Sequence, residues 1–127
     1  MASATQNLSI FWHPLEGELC LKFVFKHKFL KIDAVQGIVY WKACFNEKQN
    51  QKITLIWDCT EMTDYEPFAR VAWQQALSEL KEQIETIWLI SDSKLIRAGA
   101  SILSFFTSLD IKAVKTENEV KMNLVEI

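Results

Sequence analysis

A chain of 127 residues, 50% hydrophobic with only 3 Gly and 2 Pro, holds enough apolar material for one folded core. Its formal charge of −2 and pI near 5.7 argue against a general phosphate-backbone binder, whose domains carry a basic face or a pI above about 9, so no nucleic acid partner is expected. No stretch approaches the roughly 18 uninterrupted apolar residues of a membrane span, and the N-terminus lacks the basic-then-apolar layout of a signal peptide, so the chain is expected not to span a membrane.

The charge is uneven: residues 1–57 hold seven lysines and four acids (+3), and residues 58–127 hold seven basic and twelve acidic residues (−5). Cys20, Cys44 and Cys59 are odd in number and lack CxxC spacing, which fits reduced core residues in a cytoplasmic protein better than disulfides or a zinc site.

In chain order, residues 1–7 are small and polar and are expected to be flexible. Leu8 to His13 reads as a short strand, closed by Pro14 and a Glu16-Gly17 turn. From Glu18 to Lys26, Leu19, Leu21, Phe23 and Phe25 alternate with Cys20, Lys22, Val24 and Lys26, the pattern of a hairpin with one buried face near a sheet edge. Between Ile32 and Asn46, Val35, Ile38, Val39 and Phe45 recur at helical spacing, with Asp33 placed at the N-terminus. Gly37 inside that helix costs about 1 kcal/mol against Ala, which predicts close packing against a neighbour.

Ile53 to Trp57 is a nearly continuous apolar run, as expected of a central parallel strand covered on both faces. The stretch Asp58 to Glu66 then reads as an acidic loop, and Pro67 opens a second helix whose positive end Glu66 complements. Phe68, Ala69, Ala72, Trp73, Ala76, Leu77, Leu80 and Ile84 mark its apolar stripe. Ile87 to Ile90 is a further strand. Ser91-Asp92-Ser93 leads into a helix that stops near Ser108, Ile111 to Lys115 is a last strand, and Thr116 with Glu119 forms a capping box for a short final helix. This order predicts a single α/β domain over residues 1–127: a mixed, mostly parallel sheet with an N-terminal antiparallel hairpin and about four helices.

The chemistry is sparse. Glycines at positions 17, 37 and 99 cannot build a phosphate-binding loop, and His13 and His27 lack ligand partners at metal-binding spacing, so no cofactor and no metal are expected. Cys59 reads as a small residue at a strand end with no base to activate it. The basic run Lys26, His27, Lys28 and Lys31 reads as a solvated strand end, with an acidic partner or an anionic membrane surface as the competing reading. Trp41, Trp57, Trp73 and Trp88 fall on buried faces, whereas Trp12 does not.

The acidic stretch stands at the carboxyl end of the central strand, the edge of an α/β sheet where binding sites gather. The candidate binding residues are therefore Asp58, Thr60, Thr63, Asp64, Tyr65 and Glu66, with Ser91, Asp92, Ser93 and Arg97 sharing the same rim from the next strand. The competing reading of each is a cap or a turn.

The segment LIWDCTEMTDYEP leading into a helix, and IWLISDSKLIRAGASILSFFT followed by IKAV, resemble the SpoIIAA-like (STAS/SEC14-type) domains related to bacterial anti-sigma factor antagonists, over about residues 8–120. The resemblance implies a STAS-like fold and a non-enzymatic regulatory domain with a protein partner. The alternative it implies is an apolar small-molecule or lipid ligand, and a homodimer is left open. In the antagonist branch a serine after the loop aspartate is the phosphorylation switch. The matching run here is Asp64-Tyr65-Glu66-Pro67, with no serine and with a permanent negative charge at Glu66.

Overall fold

Between Leu21 and Phe29 the chain sets apolar rings on one side and lysines on the other, and this alternation decides which face of the sheet carries the main core. The computed structural model describes residues 4–125. Its elements run β1 (Leu8–Trp12), β2 (Cys20–Phe29), α1 (Lys31–Glu47), β3 (Ile53–Tyr65), α2 (Pro67–Leu80), a 3-10 turn (Lys81–Gln83), β4 (Ile84–Ile90), α3 (Lys94–Thr107), β5 (Ile111–Val114) and α4 (Glu117–Val125).

The sheet order is β1-β2-β3-β4-β5, antiparallel between β1 and β2 and parallel elsewhere. This is the expected mixed α/β architecture, with β3 at its centre. Phe23, Leu55, Trp57 and Leu89 pack with α1, α2 and α3 into the main core, while Cys20, Ile56, Trp88 and Ile90 turn the other way and meet Leu15 and Val120 of α4 in a smaller one.

The predicted ends are set by identifiable chemistry. Ser93 Oγ accepts the Ile96 N–H at the start of α3, and Ser108, at φ +61°, ends that helix in the left-handed region. Thr116 and Glu119 form the expected reciprocal box: Glu119 Oε2 accepts the Thr116 N–H at 3.1 Å, and Thr116 Oγ1 accepts the Glu119 N–H at 3.3 Å. Residues 1–3 of the segment expected to be flexible lie outside the described residues. Within it, the Ala4 and Thr5 amides donate to the Leu8 carbonyl, and the Asn7 amide side chain reaches buried Asp33 at 3.0 Å.

The acidic stretch, expected to be a loop, folds differently. It is strand and not loop: β3 continues through Tyr65, because β2 itself runs to Phe29 and offers it a partner ladder. The lysines lie on an exposed strand end, as expected, and Lys26 stands opposite Glu61 and Lys28 opposite Asp64, so the acids expected in a loop are their cross-strand partners of opposite charge. Two register shifts, after Val24 and after His27, break the alternation that would have marked the strand, and His27 takes φ +61° at the second.

Gly37 explains its own presence. A Cβ there would lie 2.5 Å from Leu8 Cδ2 and 3.6 Å from the Trp73 ring, so α1 can sit against β1 only where a side chain is missing. On helix propensity alone Gly37→Ala would gain about 1 kcal/mol. With buried Leu8 in the way, we expect it to destabilise by roughly 1–3 kcal/mol instead, read as a lower urea midpoint at unchanged m-value.

Candidate functional site

The alternation of β3 separates the predicted site residues before any contact is considered. Trp57 and Cys59 face the main core, so Asp58 and Thr60 point to the opposite side of the sheet. There they partner each other: Asp58 Oδ1 accepts the Thr60 N–H at 3.1 Å and its hydroxyl at 2.8 Å, holding the bulge at the first register shift. Thr63 is exposed. Asp64 Oδ1 accepts the Tyr65 N–H at 2.7 Å, and its other oxygen lies 3.9 Å from Lys28 Nζ.

Glu66 stands at the N-cap of α2 without a side-chain hydrogen bond to that helix, and its carboxylate accepts the Lys31 N–H at 2.6 Å, capping the start of α1 as well. The geometric reason is that Glu66 N donates to the Phe29 carbonyl at 2.9 Å, which brings the β3 end against the β2–α1 junction. The second group of candidate residues gathers at the end of β4. Asp58 is paired in register with Ile90, so Ser91 follows on the adjacent strand; Ser91 Oγ accepts the Ser93 N–H, and its carbonyl accepts Arg97 Nε at 2.7 Å. Asp92 is exposed beside them. The ten residues thus form separate structural clusters distributed over both faces of the sheet.

Tyr65 leads to something the sequence reading missed. Its ring lies on Gly99 of α3 so closely that a Cβ there would meet the hydroxyl and ring carbons at 2.9–3.0 Å. Under it, between α2 and α3 and over β3, lies a cavity of about 60 Å³. Its walls are almost wholly apolar, among them Phe29, Met62, Trp73 and Leu103, with Tyr65 and Arg70 also on the lining. Sites for drug-sized ligands run to about 300–1,000 Å³, so a whole lipid chain does not fit this arrangement. Cys59 also lines it. Burial pushes that thiol far above its ordinary range, and the charge of Asp58 adds to the effect, so it is held protonated and poorly nucleophilic.

A signal for Arg70 was present in the sequence. It is a cation in the first turn of a helix, where the macrodipole disfavours positive charge, and it precedes buried Trp73 by three residues, one turn along the same face.

A second group, also missed, lies on the α4 side. Lys22 Nζ bonds Glu117 Oε1 at 2.7 Å, and His13 Nε2 lies 3.4 Å from Glu117 Oε2, joining β2 and the end of β1 to α4. Burial pushes the Glu117 carboxyl up, but the hydrogen bond and charge of Lys22, together with His13, outweigh it and hold the group below its ordinary value. Among the described residues no cluster of three or more His, Cys, Asp or Glu side chains is placed to hold a metal ion, and no helix is long and apolar enough to cross a membrane.

No family model matches the chain, and no curated protein matches it in sequence. In structure it is similar to an uncharacterized protein of the DUF3478 family with a SpoIIAA-like fold from Shewanella loihica PV-4, with a TM-score of 0.76 and 14% identity, covering 98% of each chain. The chain therefore has a SpoIIAA-like fold, as its sequence resemblance implied.

The Glu117 contact has a pH signature. A carboxyl whose folded-state pKa is depressed contributes stability that is present above its unfolded-state value, 4.5, and is lost as pH falls through the lower folded-state value. The melting temperature of the wild type should therefore exceed that of Glu117→Gln at neutral pH, and the gap should close as pH drops below 4.5. A gap independent of pH would show that the charge of Glu117 contributes nothing.

Proposed function

We propose that the chain is a non-enzymatic regulatory or protein-interaction domain, whose partner surface combines the projecting ends of β2 and β3 with the outer faces of α1 and α2. The observation that carries this reading is a set of exposed apolar side chains: Ile32, Val35 and Val39 on α1, and Phe68 and Val71 on α2, with Phe68 70% exposed. Helices packed on a sheet ordinarily turn polar residues outward. Lys31 Nζ stands 5.6 Å from the centre of the Phe68 ring, so the starts of both helices belong to one surface.

Lys28, Asp64 and Glu66 border it, giving an apolar patch with a charged edge, the anatomy of a protein interface. The antagonist branch regulates binding through a serine that this chain lacks at Asp64-Tyr65-Glu66-Pro67, so phosphorylation at that position is not part of the proposal. Tyr65 contributes by fastening the β3 end to α3, and Glu66 by fastening it to α1.

The test is site-specific photo-crosslinking in native lysate, with p-benzoylphenylalanine at Phe68 and, as a control, at Asn118 on α4. A partner should be captured from position 68 only, and Phe68→Ser with Val71→Ser should weaken its binding at least about tenfold at unchanged circular dichroism. Capture of a second copy of the chain would assign the surface to a homodimer. Equal capture from both positions, or a partner indifferent to the double substitution, would overturn the assignment.

A further inference from the structure

The cavity beneath Tyr65 carries an inference beyond partner binding. Its walls are apolar, yet two side chains on its lining carry polar groups that meet no partner among the described residues. Arg70, half-buried, forms no ion pair or side-chain hydrogen bond there, and the Tyr65 hydroxyl has no hydrogen-bond partner. Both can donate, and the guanidinium stands in the first turn of α2, where the helix dipole disfavours its charge. The partner that suits them is an acceptor, and a negatively charged one.

We propose that the cavity is a binding site for a small amphipathic monocarboxylate, with its carboxylate held at the mouth by Arg70 and Tyr65 and a compact aliphatic tail in the apolar interior. Each element of the site selects for part of that ligand. The planar guanidinium matches a carboxylate in two-pronged geometry, the phenol supplies a third donor, and the α2 N-terminus favours the same negative charge. Phe29, Met62, Trp73 and Leu103 offer nothing polar to the tail. The volume of about 60 Å³ restricts it to a short or branched chain of a few carbons.

Gly99 sets the depth of the site. Any side chain there would displace the Tyr65 ring, so the wall of the mouth and the glycine opposite it are matched to each other. The site lies between α2 and α3 under Tyr65 and does not use the exposed faces of Phe68 and Val71. A failure here therefore leaves the partner surface standing, and the reverse also holds.

The experiment is a titration of the full chain, labelled with ¹⁵N, using 4-methylpentanoate as the probe and 4-methylpentanamide as its neutral counterpart. The resonances followed are the Trp57 indole N–H and the Gly99 and Ala100 amides. The acid should shift all three saturably, with a dissociation constant of about millimolar or tighter, and the amide should bind at least about tenfold more weakly. Arg70→Met, which keeps the apolar stem and removes the charge, should weaken the acid at least about tenfold and leave the amide unchanged.

If the methionine variant does not fold, the acid-against-amide comparison in the wild type still decides the matter. Absence of saturable shifts, equal binding of acid and amide, or shifts confined to residues away from the cavity would each overturn the proposal.

Discussion

The packing of Trp73 against its aromatic neighbours fixes more of this structure than any other contact. Its ring stands 4.9 Å from Trp41, 5.2 Å from Phe29, 5.8 Å from Phe23 and 6.3 Å from Trp57, so one side chain of α2 locks to α1, β2 and β3 together. Buried aromatics of this size each remove about 150–250 Å² from water, worth roughly 4–6 kcal/mol at 25 cal/mol per Å². Against that stands the cost of the Trp41 and Trp57 indole N–H groups, which are buried without acceptors, at about 1–3 kcal/mol each. Burial wins, and this explains why the core tolerates donors it does not satisfy. Rigid rings meeting edge to face also pack less flexibly than branched aliphatic chains. The cavity lies along one side of this cluster, where Trp57, Trp73 and Phe29 face α3.

The two faces of the sheet are held by different physics. On one, three helices close over a continuous apolar core. On the other, the single short α4 covers a small cluster around Cys20, Ile56, Trp88 and Ile90 through Val120. So little apolar area leaves the placement of α4 dependent on polar contacts. The Glu117 hydrogen bond to Lys22 and its 3.4 Å approach to His13, together with the Thr116–Glu119 box, supply them at its first turn. Burial there also pushes the Cys20 thiol up to about 11, which keeps it protonated as an ordinary core residue.

The order of elements was legible in the sequence because strand and helix periods differ and the chain respects both. The continuous run Ile53–Trp57 identified the central strand, and Ser93, Thr116 and Ser108 marked helix ends by chemistry that operates within a few residues. What was not legible was anything set by register between distant segments. The extension of β3 to Tyr65 depends on how far β2 runs alongside it, and two bulges erase the alternation on which a strand assignment rests. The cap that Glu66 gives to α1 was hidden because the distance from Glu66 to Lys31 is a tertiary fact. Asp58 and Thr60 met the local reading, a turn-like pair, and their separation from Tyr65 onto the other face follows from alternation that only the pairing reveals. Arg70 broke two local rules, charge against helix dipole and charge beside a buried stripe, and such conflicts are where a sequence departs from pure folding.

Tyr65 carries a structural load at the end of the central strand. Tyr65 ends β3, receives support from Asp64 at 2.7 Å through its backbone, and lays its ring across Gly99. A serine has no ring to span that gap, and a residue larger than glycine at position 99 would not admit the ring. The two residues are therefore complementary: the glycine lets α3 approach, and the tyrosine fills the space that the approach leaves. This end of β3 is thus a structural cover, fastened to α3 by one aromatic ring.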